Sequence, residues 1–202
     1  MAAAWHAPHA ADPRLAKFTA PPPTRVVAPA EWWQRDWGSL PERRSESDVR
    51  RRWPLDVQVA GPLAPLKASL AADGWREQPQ AGWEEALNLL DSDLPDDEQP
   101  VLPATLDTRA ESLLMVRKGD QPGEVFVLRL WPADTRLLPG DVPLRIGSAQ
   151  VLQQQRAFNL VRLWRPLREA RTALDAVTRA TAGLDHAIAP HPVSGLPVLR
   201  IC

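Results

Sequence analysis

The sequence predicts an α+β domain, a mainly antiparallel sheet of about five or six strands with two or three helices packed on one face. Three observations predict it. Several short runs alternate apolar and polar residues or read as β-rich hairpin arms. Other runs carry an apolar stripe at helical spacing. Their order is β-α-α, then a block of β, then α-β, which suits an antiparallel-rich sheet with helices set to one side.

Residues 1–30 are rich in Ala and Pro and hold no sustained apolar period, so they read as an extended tail; residues 31–202 read as a single domain. The domain opens on "EWWQRDWGSLPERR", where Trp32, Trp33 and Trp37 carry too much apolar surface to stay wet. This segment is expected to dock on the domain. "SESDVRRRW" (Ser45–Trp53) reads as a mixed-charge connection. "LDVQVAG" places Leu55, Val57 and Val59 on one face, the pattern of a half-buried strand. A helix over Pro62–Gly74 follows, with Leu63, Leu66 and Leu70 as its stripe and Gly74 to terminate it. Trp83–Leu90 predicts a second, short helix with Glu84 and Glu85 in its first turn, and the acidic run Asp91–Pro100 a surface loop.

"ESLLMVRKG" and "EVFVLRLWP" then read as two strands joined by the turn "DQPG". Val142–Gln150 and Ala157–Trp164 predict two more strands. Pro166–Gly183 predicts the longest helix, its buried stripe formed by Leu167, Ala170, Leu174 and Val177. Leu196–Ile201 predicts the last strand.

Composition narrows the function classes little. The 202 residues suffice for one sizeable core, and a net charge of −1 gives no global attraction to nucleic acid or to an anionic membrane. Three lysines against 21 arginines reflect coding bias more than arginine chemistry. The basic run Arg43, Arg44, Arg50, Arg51 and Arg52 is blunted by nearby acids, so no nucleic-acid partner is expected. Cys202 is the single cysteine and makes neither a disulfide nor a metal cluster. No apolar run approaches the length of a membrane span, and the N-terminus lacks the pattern of a secretory signal. The default expectation is therefore cytoplasmic.

Arg129 and Arg162 each stand two residues before a tryptophan, Trp131 and Trp164, so each pair shares a strand face. Two readings stay open. In the favoured one, guanidinium and indole close a sheet face as packing, and stack if the two strands are neighbours. The arginines are then bonded to carbonyls or to a carboxylate, with Asp134 the candidate partner of Arg129. In the other, the four residues form an anion-binding face, because a guanidinium grips phosphate or carboxylate bidentately.

No catalytic, cofactor-binding or metal-binding set emerges beside them. His6 and His9 lie in the tail, and His186 and His191 flank a Pro-containing loop, where solvated side chains are expected. Asp91, Asp93, Asp96, Asp97 and Glu98 lack the spacing of a calcium loop, and Ser148 lacks the second glycine of a nucleophile elbow.

Several pieces taken together resemble the LssY C-terminal domain family. They are "EWWQRDWGSLPERR", "PLDVQVAGPLAPLKASLAADGW", "PVLPA", "VLRLWPAD" and "PLRIGS", colinear over roughly residues 31–201. Val59 and Arg145 depart from the pattern, standing where the family's "QWAG"-like and "PLWVG"-like segments carry tryptophan. The resemblance implies a soluble bacterial domain attached behind phosphatidic-acid-phosphatase-like or DedA-like membrane segments, with a membrane partner and peripheral membrane association. It does not carry phosphatase chemistry: "HPVSGLP" echoes the "PSGH" of those enzymes in the wrong order, and no nucleophilic histidine accompanies it. The expected function is a noncatalytic accessory or interaction domain with no cofactor. The alternative is a binder of a small anionic ligand, or an enzyme, using the Arg/Trp face.

Overall fold

The computed structural model describes residues 25–45, 52–79, 99–157, 161–167 and 171–202. β1 (Arg25–Val27), α1 (Pro29–Gln34) and one turn of 3-10 helix (Asp36–Ser39) lead to an antiparallel pair, β2 (Arg43–Ser45) and β3 (Arg52–Pro54). β4 (Val57–Ala60), α2 (Leu63–Ala72) and β5 (Arg76–Glu77) come next. β6 (Thr105–Leu106) and β7 (Arg109–Ala110) form a second small pair. The longer strands follow: β8 (Leu113–Lys118), β9 (Glu124–Leu137), β10 (Val142–Ala157) and β11 (Val161–Pro166). α3 (Thr172–Ala180), β12 (His186–Pro190) and β13 (Pro197–Ile201) complete the chain.

Among the described residues the main sheet has nine strands, against the five or six expected. Its path runs β12-β13-β4-β10-β9-β8-β5, with β1 beside β9 and β11 beside β10. Most pairs are antiparallel, but β1 with β9 and β4 with β13 are parallel, so the sheet is mixed. The extra strands have a simple origin. β1 and β5 are short pieces whose pairing comes from neighbours distant in sequence, β12 is a short edge strand in a hairpin with β13, and no strong local alternation announces any of the three.

Side-chain alternation sorts the sheet into two covered faces. Val57, Val59, Phe126, Leu128, Leu130, Val151, Leu199 and Ile201 meet Leu66 and Leu70 of α2 and Ala173, Leu174 and Val177 of α3. On the opposite face Ala60, Trp131, Leu144, Ile146 and Val198 lie under Trp32, Trp37 and Leu40. The helices are therefore not all on one face. α1 brings its tryptophans to the side that α2 and α3 leave open, and β4, expected to be half-buried, is buried on both sides. At its centre Gln58 accepts a hydrogen bond from Trp32 Nε1 (3.1 Å) and donates one to the Trp37 carbonyl (3.0 Å). Arg200 donates to the Trp33 carbonyl and lies over both rings, 5.1 Å from that of Trp33 and 4.5 Å from that of Trp37.

Other boundaries shift with physical cause. Residues 25–30, read as tail, belong to the fold, because β1 pairs with the end of β9. The last helix begins at Thr172, not Pro166, since Val161–Pro166 continues the ladder with β10. The expected helix over Trp83–Leu90 lies outside the described residues, as do most of Ser45–Trp53 and Asp91–Pro100. α2 ends as expected: Gly74 has φ +83° and donates its N–H to the Ala71 carbonyl. Where β9 and β10 pair, a Cβ on Gly147 would come within 2.1 Å of the Arg129 carbonyl oxygen, so this crossing requires glycine.

Candidate functional site

β10 is the longest strand, and two strands share one of its edges. β4 pairs with Leu144–Gly147, and β11 pairs with Leu152–Ala157. β9 takes the other edge from Val142 to Gln153. Between the two partners the sheet forks, and the β10 edge around Ala149 meets no strand. An open edge deep in a protein leaves backbone groups that must be satisfied. Here Asp56, the residue before β4, closes the gap with its side chain. Its Oδ1 accepts the Ala149 N–H at 2.8 Å, in the place a peptide carbonyl would occupy if β4 began earlier. Farther along, the Leu167 N–H donates to the Val151 carbonyl at 2.9 Å. The Asp56 carbonyl in turn accepts the Leu199 N–H (2.8 Å), which ties the same residue to β13.

A cavity of about 370 Å³ fills the fork. Trp53, Pro54 and Asp56 line it from the β3–β4 segment, Ala149 and Gln150 from β10, and Arg171 and Leu174 from α3. Leu167, Leu196 and Pro197 close its sides. The described walls mix apolar side chains with one carboxyl, one guanidinium and the side chain of Gln150. Among the described residues neither Asp56 nor Arg171 has an ion-pair partner. Burial raises the Asp56 carboxyl from its ordinary 3.8 to about 7, and the hydrogen bonds from the backbone amides of Ala149 and Asp56 only partly oppose that shift. At neutral pH the group therefore divides between a neutral donor and a buried anion. A titrating carboxyl on the wall of a small cavity is the arrangement that marks binding and catalytic sites.

The Arg/Trp residues singled out from the sequence lie elsewhere. Arg129 is 5% exposed and Trp131 is fully buried. Arg129 donates to a carboxylate, but the partner is Glu111, not Asp134; its other terminal nitrogen donates to the Leu102 carbonyl (2.9 Å). Asp134 instead pairs with Arg109. Glu111 also accepts the Ala104 N–H (3.0 Å), and Trp131 Nε1 donates to the Ala104 carbonyl (3.1 Å). Together these bonds fasten the 102–104 segment to the sheet. Burial raises the Glu111 carboxyl above its ordinary value, with the adjacent Arg129 pulling it back. The cation over the Trp131 ring is Arg44, at 5.4 Å.

Arg162 and Trp164 lie on β11, which β10 separates from β9, so the two pairs are not neighbours. Arg129 pairs with Ser148 and Arg162 with Arg156, which separates the two by roughly 26 Å along β10. The structure does not bring the four residues into one site. Trp164 packs on the cluster of Leu114, Val116 and Leu152.

His191, expected to be solvated, is 4% exposed; it stands edge-on to Trp37, with Nδ1 3.1 Å from the Glu42 carboxylate. Ser148 is buried in the sheet opposite Arg129. Among the described residues no group of three or more His, Cys, Asp or Glu side chains is placed to hold a metal ion.

Sequence reasoning passed over Asp56 because an acid next to "VQVA" reads as the polar phase of a strand. The available signal was its position: a carboxylate inside "WPLDVQV", where every residue but Pro54 turns out to be buried.

These features define an α+β domain with a mixed, forked sheet, a partly open cavity at the fork and a tryptophan-rich cover. The chain belongs to the LssY C-terminus family, whose model matches residues 37–166, more than half of its length. No curated protein and no solved structure matches it. The matched span holds the fork itself, from Trp53 and Asp56 to Gln150, while α3 and β13 lie beyond it. The two departures from the family pattern, Val59 and Arg145, prove to be cross-strand partners on β4 and β10. Arg145 uses its position to donate to the Gly61 carbonyl at 2.8 Å. No helix among the described residues is long and apolar enough to cross a membrane.

Proposed function

We propose that this domain is a noncatalytic small-molecule-binding module whose site is the cavity at the sheet fork. The observation that carries the reading is Asp56: a buried carboxyl without an ion-pair partner among the described residues, on the wall of a space large enough for a compact ligand. A purely structural role would be met more cheaply by an apolar plug and a slightly longer β4, since burying a carboxyl carries a desolvation cost. In the family's context the module serves as an accessory to a bacterial membrane system of the phosphatase-like or envelope kind, reporting or delivering what it binds.

The test is a small-fragment screen by thermal shift on the whole chain and on Ala149→Leu, which fills the cavity from β10. Fragments that raise the melting temperature of the parent and not of the filled variant support the reading. Fragments that stabilise both equally, or none that stabilise the parent, contradict it.

A further inference from the structure

Two charged side chains line the fork cavity, and they differ in setting. Asp56 is held against the β10 edge, its Oδ1 engaged by the Ala149 N–H. Arg171 stands at the start of α3 and is exposed. β4, β10, α3 and β13 contribute no other titratable side chain to the described wall. The rest of the described wall is indole, proline, leucine and alanine, with Gln150 as its one further polar side chain. So few polar side chains would leave most of a sugar's hydroxyls unpaired. A cavity of about 370 Å³ also holds a compact molecule rather than a polymer segment.

Resting on the cavity reading above, we propose that the ligand is a small organic carboxylate with an apolar body, its acid group on Arg171 and its body against Trp53, Leu174 and Leu196. The choice between an anion and a cation follows from what each would meet. An amine would share the small volume with a guanidinium, and it would pair only with the ionised form of Asp56, which burial disfavours. A carboxylate meets a counter-ion in Arg171 that grips both its oxygens. It also meets, in protonated Asp56, a hydrogen-bond donor facing the same space. Because the acidic form of Asp56 is the one that donates, binding holds its proton in place, and affinity falls as pH rises through the titration of that group.

Three isosteric probes separate the possibilities: phenylacetate, phenylacetamide and phenethylamine, titrated calorimetrically into the whole chain at pH 6 and pH 8. Phenylacetate is expected to bind most tightly, with affinity about tenfold lower at pH 8 than at pH 6. Arg171→Gln, on an exposed side chain that leaves the melting temperature unchanged, should weaken phenylacetate about tenfold. Asp56→Asn should bind phenylacetate with no pH dependence over that range, because its amide still donates. Tighter binding of phenethylamine, or equal phenylacetate affinity in Arg171→Gln, overturns the inference. If none of the three probes binds, the inference also falls, and the fragment screen then decides the wider reading. Neutral fragments that stabilise the parent but not Ala149→Leu keep the cavity as a site without an acid ligand; their absence removes both.

Discussion

Asp56 does at the level of one residue what a strand would otherwise do, and its ionisation shows the cost. In the unfolded chain its carboxyl titrates near the ordinary 3.8, and in the fold near 7. Below about pH 4 it is protonated in both states and has no effect on stability. Between those values the unfolded chain gives up the proton while the folded one keeps it, so stability falls as pH rises. Above about pH 7 the loss is complete, at roughly 4 kcal/mol for a shift of this size. Asp56→Asn, whose side-chain carbonyl can still accept the Ala149 N–H, should therefore be more stable than the parent at pH 8 and equal to it near pH 4. Urea unfolding across that range checks the sign. Arg129 shows the opposite case, a buried charge that already has its counter-ion. Arg129→Leu removes the guanidinium nearest the Glu111 carboxylate, and should cost about 3–5 kcal/mol in the same measurement. Pairing it with Glu111→Leu should return most of that loss.

At the level of elements, the tryptophan-rich entry segment is a structural layer. Trp32 is 1% exposed, and its indole N–H is met by Gln58 on β4. Trp32→Ala should cost about 3–5 kcal/mol, read as a lower urea midpoint, because it empties the centre of that face and orphans Gln58. A loss below about 1 kcal/mol would mean that the segment contributes little. Its docking was legible in the sequence, since three indoles within six positions have to be buried somewhere. The strands β4, β8 and β9 and the helix α2 were legible for a similar reason: their apolar period is local. The short edge strands were not: β1 and β5 owe their state to partners far along the chain, and β12, though its partner is the next strand, carries no apolar alternation strong enough to announce it. The last helix was started too early, at Pro166, because Leu167, Leu174 and Val177 share a helical spacing, whereas Pro166 pairs with Leu152 as the last residue of β11.

For the whole molecule, the forked sheet turns a topological irregularity into a partly open cavity. β4 and β11 arrive at the same edge of β10 from distant parts of the chain, and neither alone predicts a gap. The cavity was therefore invisible in the sequence, and the repeated Arg-x-Trp spacing drew attention to two places that the fold keeps apart. The central claim, that this gap is a binding site, is tested most directly by backbone-amide and indole chemical-shift mapping of the whole chain as a small-molecule fragment set is added. The predicted result is saturable shifts centred on Ala149, Gln150, Leu174 and the Trp53 indole, with the Trp32 and Trp131 indoles unmoved. Shifts confined to the tryptophan cover or to the β12 edge, or no saturable shifts at the fork, would contradict it.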